Sequence, residues 1–222
     1  MGQVRTMAVL GDSVPYGTAC NCSPYPVLSG EEVAEATGHP VDVMNDAVPG
    51  AVSGDVKHQL TTTSVRAHVE ESNLVLVEIG ANDVSYSSAC GTTVTCYEDK
   101  IPALAHNLSA IVDDIHDLVG PRWVTVVLLG YWNVWLGGQY AQEKGSAYVA
   151  AADALTASVN DAIASVARST GSIYVNLRTA FRGPDDNWDE THLLAPDGDH
   201  PNAEGQDRIA DAIAAALARA HY

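Results

Sequence analysis

Leu74-Val-Leu-Val-Glu-Ile79, followed at once by Gly80-Ala-Asn82-Asp83, decides the architecture. The run is short, rich in β-branched residues and apolar but for one acid, and glycine stops it, as expected of a strand buried on both faces. Four further runs share the pattern: Thr6 to Leu10, Val41 to Met44, Val124 to Leu129 and Ile173 to Leu177. Between them the spacing predicts helices over about 29–37, 53–68, 97–118 and 146–170, with about 202–220 closing the chain. Strand and helix alternate, so the expected fold is α/β: a three-layer α/β/α sandwich around a flavodoxin-like parallel sheet of about five strands. With no internal repeat, linker or charge block, residues 1–222 read as a single domain. In such sheets reactive groups collect at the carboxyl ends of the strands, so the residues after each run carry the functional question.

The 222 residues are 46% hydrophobic and 18% charged, a composition suited to one ordinary globular core. A formal net charge of -17 repels phosphate backbones and anionic membrane surfaces, so nucleic acid is not an expected partner. No run approaches the roughly 18 apolar residues of a membrane helix, so membrane insertion is not expected either. Met1 to Met7 holds nothing like a signal peptide, which leaves both a cytoplasmic and a mature secreted location open. The four cysteines form two local pairs. Cys90 and Cys96 span a loop that closes readily, whereas Cys20 and Cys22 make a poor disulfide candidate because a C-x-C ring is short and strained. Neither pair has the spacing of a zinc site, and no metal or cofactor is expected.

Four segments offer chemistry. Gly11-Asp-Ser13 ends the first run and presents Ser13 at the sheet edge, although a serine placed there also serves simply to cap a helix. Asp197-Gly-Asp-His200-Pro201-Asn202 puts a carboxylate three residues before an imidazole, and one turn can carry both. A triad needs a ring that takes the serine proton on one nitrogen while a carboxylate holds the other N–H. The competing reading is an acidic loop with a surface histidine. In a flavodoxin-like strand order the first and third strand ends are neighbours, which brings the Asn82 amide towards Ser13. Asn45-Asp-Ala-Val-Pro-Gly50 follows the second strand, where Gly50 offers an unobstructed backbone N–H. Tyr131, Trp132 and Trp135 follow the fourth strand, either as packing or as a substrate wall. Asp185 to Asp189 starts like a calcium loop, but Glu190 takes the glycine position and Pro196 that of the bidentate acid, so it reads as an acidic surface loop. Phosphate-binding glycine loops and H-E-x-x-H are absent.

Together these segments resemble the SGNH hydrolase superfamily, the GDSL lipases and esterases, whose four blocks carry Ser, Gly, Asn and His in this order. The resemblance extends from Gly11 to Asn202. It departs at Val14, where the first block has Leu, and at Ala47, which replaces the first glycine of the second block, while Gly50 keeps the offset from Asn45. The resemblance implies a serine carboxylester hydrolase acting on small-molecule esters through an acyl-enzyme. Ser13 is then the nucleophile, His200 the base and Asp197 its partner. The Ser13 and Gly50 backbone N–H groups and the Asn82 amide would form the oxyanion hole. An acyltransferase of the same fold, and a non-catalytic acyl- or carbohydrate-binding module, remain as alternatives.

Overall fold

The computed structural model describes residues 4–220; residues 1–3 and 221–222 of the expected domain lie outside the described residues. The chain begins with β1 (Thr6–Gly11), α1 (Ser13–Tyr16), α2 (Tyr25–Thr37), β2 (Asp42–Asn45), α3 (Ser53–Gln59) and α4 (Thr63–Glu71). β3 (Leu74–Glu78) leads through a 3-10 turn (Asn82–Val84) to α5 (Thr95–Glu98), α6 (Ile101–Val119) and β4 (Thr125–Leu129). Then come α7 (Gly138–Gln142), α8 (Ser146–Thr170), β5 (Ile173–Val175), α9 (Leu177–Arg182), a second 3-10 turn (Glu190–Leu193) and α10 (Ala203–Arg219).

The five strands form one parallel sheet in the order β2-β1-β3-β4-β5, the flavodoxin-like order expected. Helices α2 and α10 pack together, as do α6 and α8, with α3 and α4 against α6. Helices on both faces explain why β3 and β4 are buried along their whole length, while the edge strands β2 and β5 are partly exposed. Gly11 lies opposite Glu78 in the β1–β3 register. A Cβ at Gly11 would run into the Glu78 carbonyl oxygen and the Pro15 ring, so only glycine lets the two strand ends lie this close.

The helices depart from expectation where local chemistry intervenes. The stretch expected as one helix over 53–68 breaks into α3 and α4 at Thr61-Thr-Thr63. There the Thr61 and Thr62 hydroxyls donate to the His58 and Gln59 carbonyls at 2.7 Å, competing with the helical ladder. The stretch over 97–118 divides ahead of Pro102, which occupies the first turn of α6. α2 starts at Tyr25, four residues before its expected start at 29, again with a proline in its first turn. β5 stops at Val175 rather than Leu177, because Asn176 caps α9 by accepting from the Thr179 N–H at 3.1 Å.

Both cysteine pairs are bridged, Cys90 to Cys96 across the loop whose spacing allowed it and Cys20 to Cys22 although its spacing made it the poorer candidate. Ala19 and Asn21 adopt left-handed backbone (φ 61° and 49°), and this tight turn sets the Cys20 and Cys22 Cα atoms 5.1 Å apart, within disulfide range. All four thiols are thereby consumed. The acidic loop after α9 is held by arginines: Arg178 donates to both Asp186 carboxylate oxygens at 2.8 and 2.6 Å, and Arg178 and Arg182 both reach Asp153.

Candidate active site

Ser13 leaves the sheet where β1 ends, as the first residue of α1. Asp12 caps that turn, its Oδ1 accepting from the Val14 N–H at 3.0 Å. The loop carrying Asp197 and His200 is folded back on itself between the 3-10 turn and α10. Leu194 bridges to Pro201, the Ala195 N–H donates to the His200 carbonyl at 2.8 Å, and Asn202 caps α10 through the Gly205 N–H. Gly198 is required at its left-handed position (φ 75°), where a Cβ would enter the Tyr140 ring.

Residues separated by 187 positions meet here. His200 Nε2 lies 2.8 Å from Ser13 Oγ, and His200 Nδ1 lies 2.8 Å from Asp197 Oδ2. This network assigns the ring proton to Nδ1, donating to the carboxylate, with the Ser13 hydroxyl donating to Nε2. The other Asp197 oxygen accepts from the backbone N–H groups of Asp199 and His200 at 3.1 and 3.0 Å. Partial burial pushes the Asp197 pKa up. Those two amides, with the His200 ring, outweigh it and leave the carboxyl below its usual range, ionised and ready to face an imidazolium.

Asn82 opens the 3-10 turn after β3 and lines the same cavity as Ser13 and His200. One of its amide hydrogens goes to the Ala51 carbonyl at 3.0 Å, which fixes the side chain and leaves the second hydrogen uncommitted. Asp83 holds the facing loop by accepting from both the Ser53 N–H (2.9 Å) and Oγ (2.6 Å). Gly50 adjoins Ala51 in an exposed turn with left-handed backbone (φ 81°). It belongs to this loop but not to the cavity wall. Asn45 is committed elsewhere, donating to the Pro15 carbonyl at 2.7 Å and accepting from the Ala47 N–H.

The cavity measures 480 Å³. Tyr131, Trp132 and Trp135 all line it, yet all three are almost fully buried, so they serve as wall and core at once. Trp132 stacks on Phe181 with centroids 4.4 Å apart, and the Trp135 indole donates to the Val84 carbonyl at 2.8 Å. Sequence reasoning missed Tyr86 and Tyr148, which complete an aromatic wall with Trp135 at centroid distances of 5.2–5.5 Å. The only available signal was that Tyr86 lies in the loop following β3. Sequence reasoning also missed Asp12 and Asp199, which line the cavity as well. Burial raises the Asp199 pKa; His200 works against that rise and Asp197 adds to it.

A five-stranded parallel sheet in this order, with a Ser–His–Asp line at its carboxyl edge and an asparagine lining the same cavity as the serine, has the arrangement of the SGNH hydrolases. The sequence pattern of the GDSL-like lipase/acylhydrolase family matches residues 9–208, and the chain belongs to that family of carboxylic ester hydrolases. Among curated proteins, none matches the chain at a significant level. Among solved structures, a lipase from a goat rumen metagenome is similar with a TM-score of 0.75 at 14% identity, over 96% of this chain and 97% of that one. An extracellular lipase from Streptomyces rimosus gives 0.69 at 24% identity, over 96% and 99%. An acetyl xylan esterase from Geobacillus stearothermophilus gives 0.67 at 17%, over 96% and 94%. At these identities the likeness is one of fold.

Proposed function

We propose that this chain, acting as one domain, hydrolyses small acyl esters through a Ser13–His200–Asp197 triad and an acyl-enzyme. The observation that carries this reading is the pair of 2.8 Å contacts on either side of the His200 ring. His200 Nε2 takes the Ser13 proton as Oγ bonds to the ester carbonyl carbon, and the carbonyl electrons move onto its oxygen. The free Asn82 N–H and the Ser13 backbone N–H receive that oxyanion, and Gly50, expected from the sequence as a third donor, is left out because it does not line the cavity. On collapse the alcohol leaves with the proton from His200, and water then repeats the sequence to release the acid. The acyl group lies along the aromatic wall, with Tyr131, Trp132 and Trp135 at its base. Two disulfides suit a chain that matures in an oxidising compartment, and no helix among the described residues is long and apolar enough to cross a membrane.

The test is an ester panel varying acyl length and alcohol, run on wild type beside Ser13→Ala, with a fluorophosphonate probe mapped by mass spectrometry. Hydrolysis and Ser13 labelling in wild type, both absent in the variant, are expected. Absence of both labelling and turnover in wild type would leave a binding module, and preferential transfer to an added alcohol would make it an acyltransferase.

A further inference from the structure

Behind Ser13 lies a group of buried polar side chains that the acyl-enzyme mechanism does not use: Asp12, Glu78, Tyr25 and Tyr131. The Tyr131 hydroxyl donates to Asp12 Oδ2 at 2.6 Å, while Asp12 Oδ1 holds the Val14 N–H at 3.0 Å. Tyr131 itself is immobilised at its backbone, since the Asn160 side chain accepts from its N–H and donates to its carbonyl, each at 2.8 Å. Its side chain lines the same cavity wall as Ala81 and Asn82. The phenol oxygen therefore touches the residue before the proposed nucleophile, while its ring shares a wall with the proposed oxyanion donor. We propose that Tyr131 is a positioning residue, whose hydroxyl, acting through Asp12, holds the Ser13 turn in register with the Asn82 turn. This inference rests on the esterase reading above.

The argument is one of charge as well as distance. Glu78 is fully buried with no hydrogen-bond partner at either oxygen, and burial, then Asp12, push its pKa well up against the pull of Tyr25, favouring the protonated form. Asp12 is left as the group able to bear charge beneath Ser13, its own pKa pushed up by burial to about 6 and restrained first by the Tyr131 hydrogen bond. The groups facing Asp12 are Glu78 of β3, Tyr131 beyond β4, and Asp199 and His200 ahead of α10, with Tyr25 of α2 facing Glu78. Without the phenol, a buried carboxylate loses one of its two hydrogen bonds and takes up a proton at higher pH. Either change weakens its hold on Val14, the second residue of the turn that presents Ser13.

Tyr131→Phe tests this because it removes the hydroxyl and keeps the ring in the cavity wall. With p-nitrophenyl esters, kcat is expected to fall about tenfold or more while KM stays within about twofold, since position of the reacting group and not binding is lost. The deficit against wild type should widen as pH is lowered from about 8 to about 6.5, following the rise in Asp12 pKa. Asp12→Asn tests the other end of the link independently, should Tyr131→Phe not fold, and is expected to lose kcat at constant KM. The double variant should be no worse than the poorer single one. A Tyr131→Phe enzyme with wild-type kcat, a deficit independent of pH, or additive losses in the double variant would overturn the proposal while leaving the esterase reading intact. Wild type that neither turns over esters nor labels at Ser13 would remove both.

Discussion

Asp197 makes its hydrogen bonds within its own loop, to two backbone N–H groups and the His200 ring. Asn at this position would turn an amide donor towards the Nδ1 proton, favour the other tautomer and leave the imidazolium uncompensated. Asp197→Asn is expected to lower kcat by on the order of 10³–10⁴. Asp199 lines the cavity, but its carboxylate bonds to neither ring nitrogen; only its backbone serves Asp197. Asp199→Asn should therefore change kcat only severalfold, and steady-state kinetics on the two variants side by side decide the matter; equal losses would reassign the acid. Asn82→Ala should cost about 10²–10³ in kcat with little change in KM, because a donor aimed at developing charge stabilises the transition state more than bound ester. Asn82→Asp should be worse. Near-normal kcat in folded Asn82→Ala would end that assignment, and Asn45, already tied to Pro15 and Ala47, is not free to replace it. These residues were legible in the sequence because each sits a fixed step past a strand or before a helix. The Tyr131 hydroxyl was not. Its partner Asp12 lies 119 positions away, and no local pattern announces a bond across three strand ends.

The loop between the Asn82–Val84 turn and α5 lines the cavity but carries none of the proposed triad or oxyanion groups. Ser85, Tyr86 and Thr92 reach from it into the cavity. The loop is pinned by the Cys90–Cys96 bridge and by the Tyr97 hydroxyl, which receives the Ser87 N–H at 3.0 Å and lies 2.9 Å from the Gly91 carbonyl. Replacing both cysteines by serine, with Cys20–Cys22 left in place, should lower stability by about 2 kcal/mol on the chain-entropy estimate. Because Ser13, Asp197 and His200 come from other elements, KM should rise more than kcat falls, as measured on the ester panel. Unchanged KM would detach the loop from substrate binding, and four free thiols in air-exposed protein would remove the bridges altogether. Strand existence and order were readable from apolar runs alone, but the helix breaks were not. They arise from side chains of Thr61 and Thr62 that take backbone acceptors, and from where Pro102 falls within a turn. A residue-by-residue periodicity does not see either. The Cys20–Cys22 bridge escaped for a similar reason, since it depends on left-handed backbone at Ala19 and Asn21.

At the scale of the whole molecule, the acidity has two parts that respond differently to solvent. Most of the carboxylates behind the net charge of -17 lie at the surface. A few do not: burial raises the pKa of Asp12 to about 6, and raises those of Glu78, Asp83, Asp199 and Glu32 as well. Among the described residues, Asp189 and Asp197 move the other way, held low chiefly by hydrogen bonds. A carboxyl with a raised folded pKa binds more protons in the folded than in the unfolded chain, so its contribution is fully present below the unfolded value of 3.8 and is lost as pH rises through about 6. The fold should therefore gain stability on acidification from about pH 7.5 to about pH 5.5, with Asp12 alone supplying about 1 kcal/mol over that interval. For a chain of this size that corresponds to roughly 2–4 °C in Tm, read by calorimetry. Relief of surface repulsion acts in the same direction, but at about 1 M salt the screening length falls to about 3 Å and that component fades, whereas the buried pair is little screened. The rise in Tm should persist in high salt and shrink in Glu78→Gln. A Tm that falls on acidification, or a rise abolished by salt, would mean that the buried carboxyls do not govern the stability of this fold.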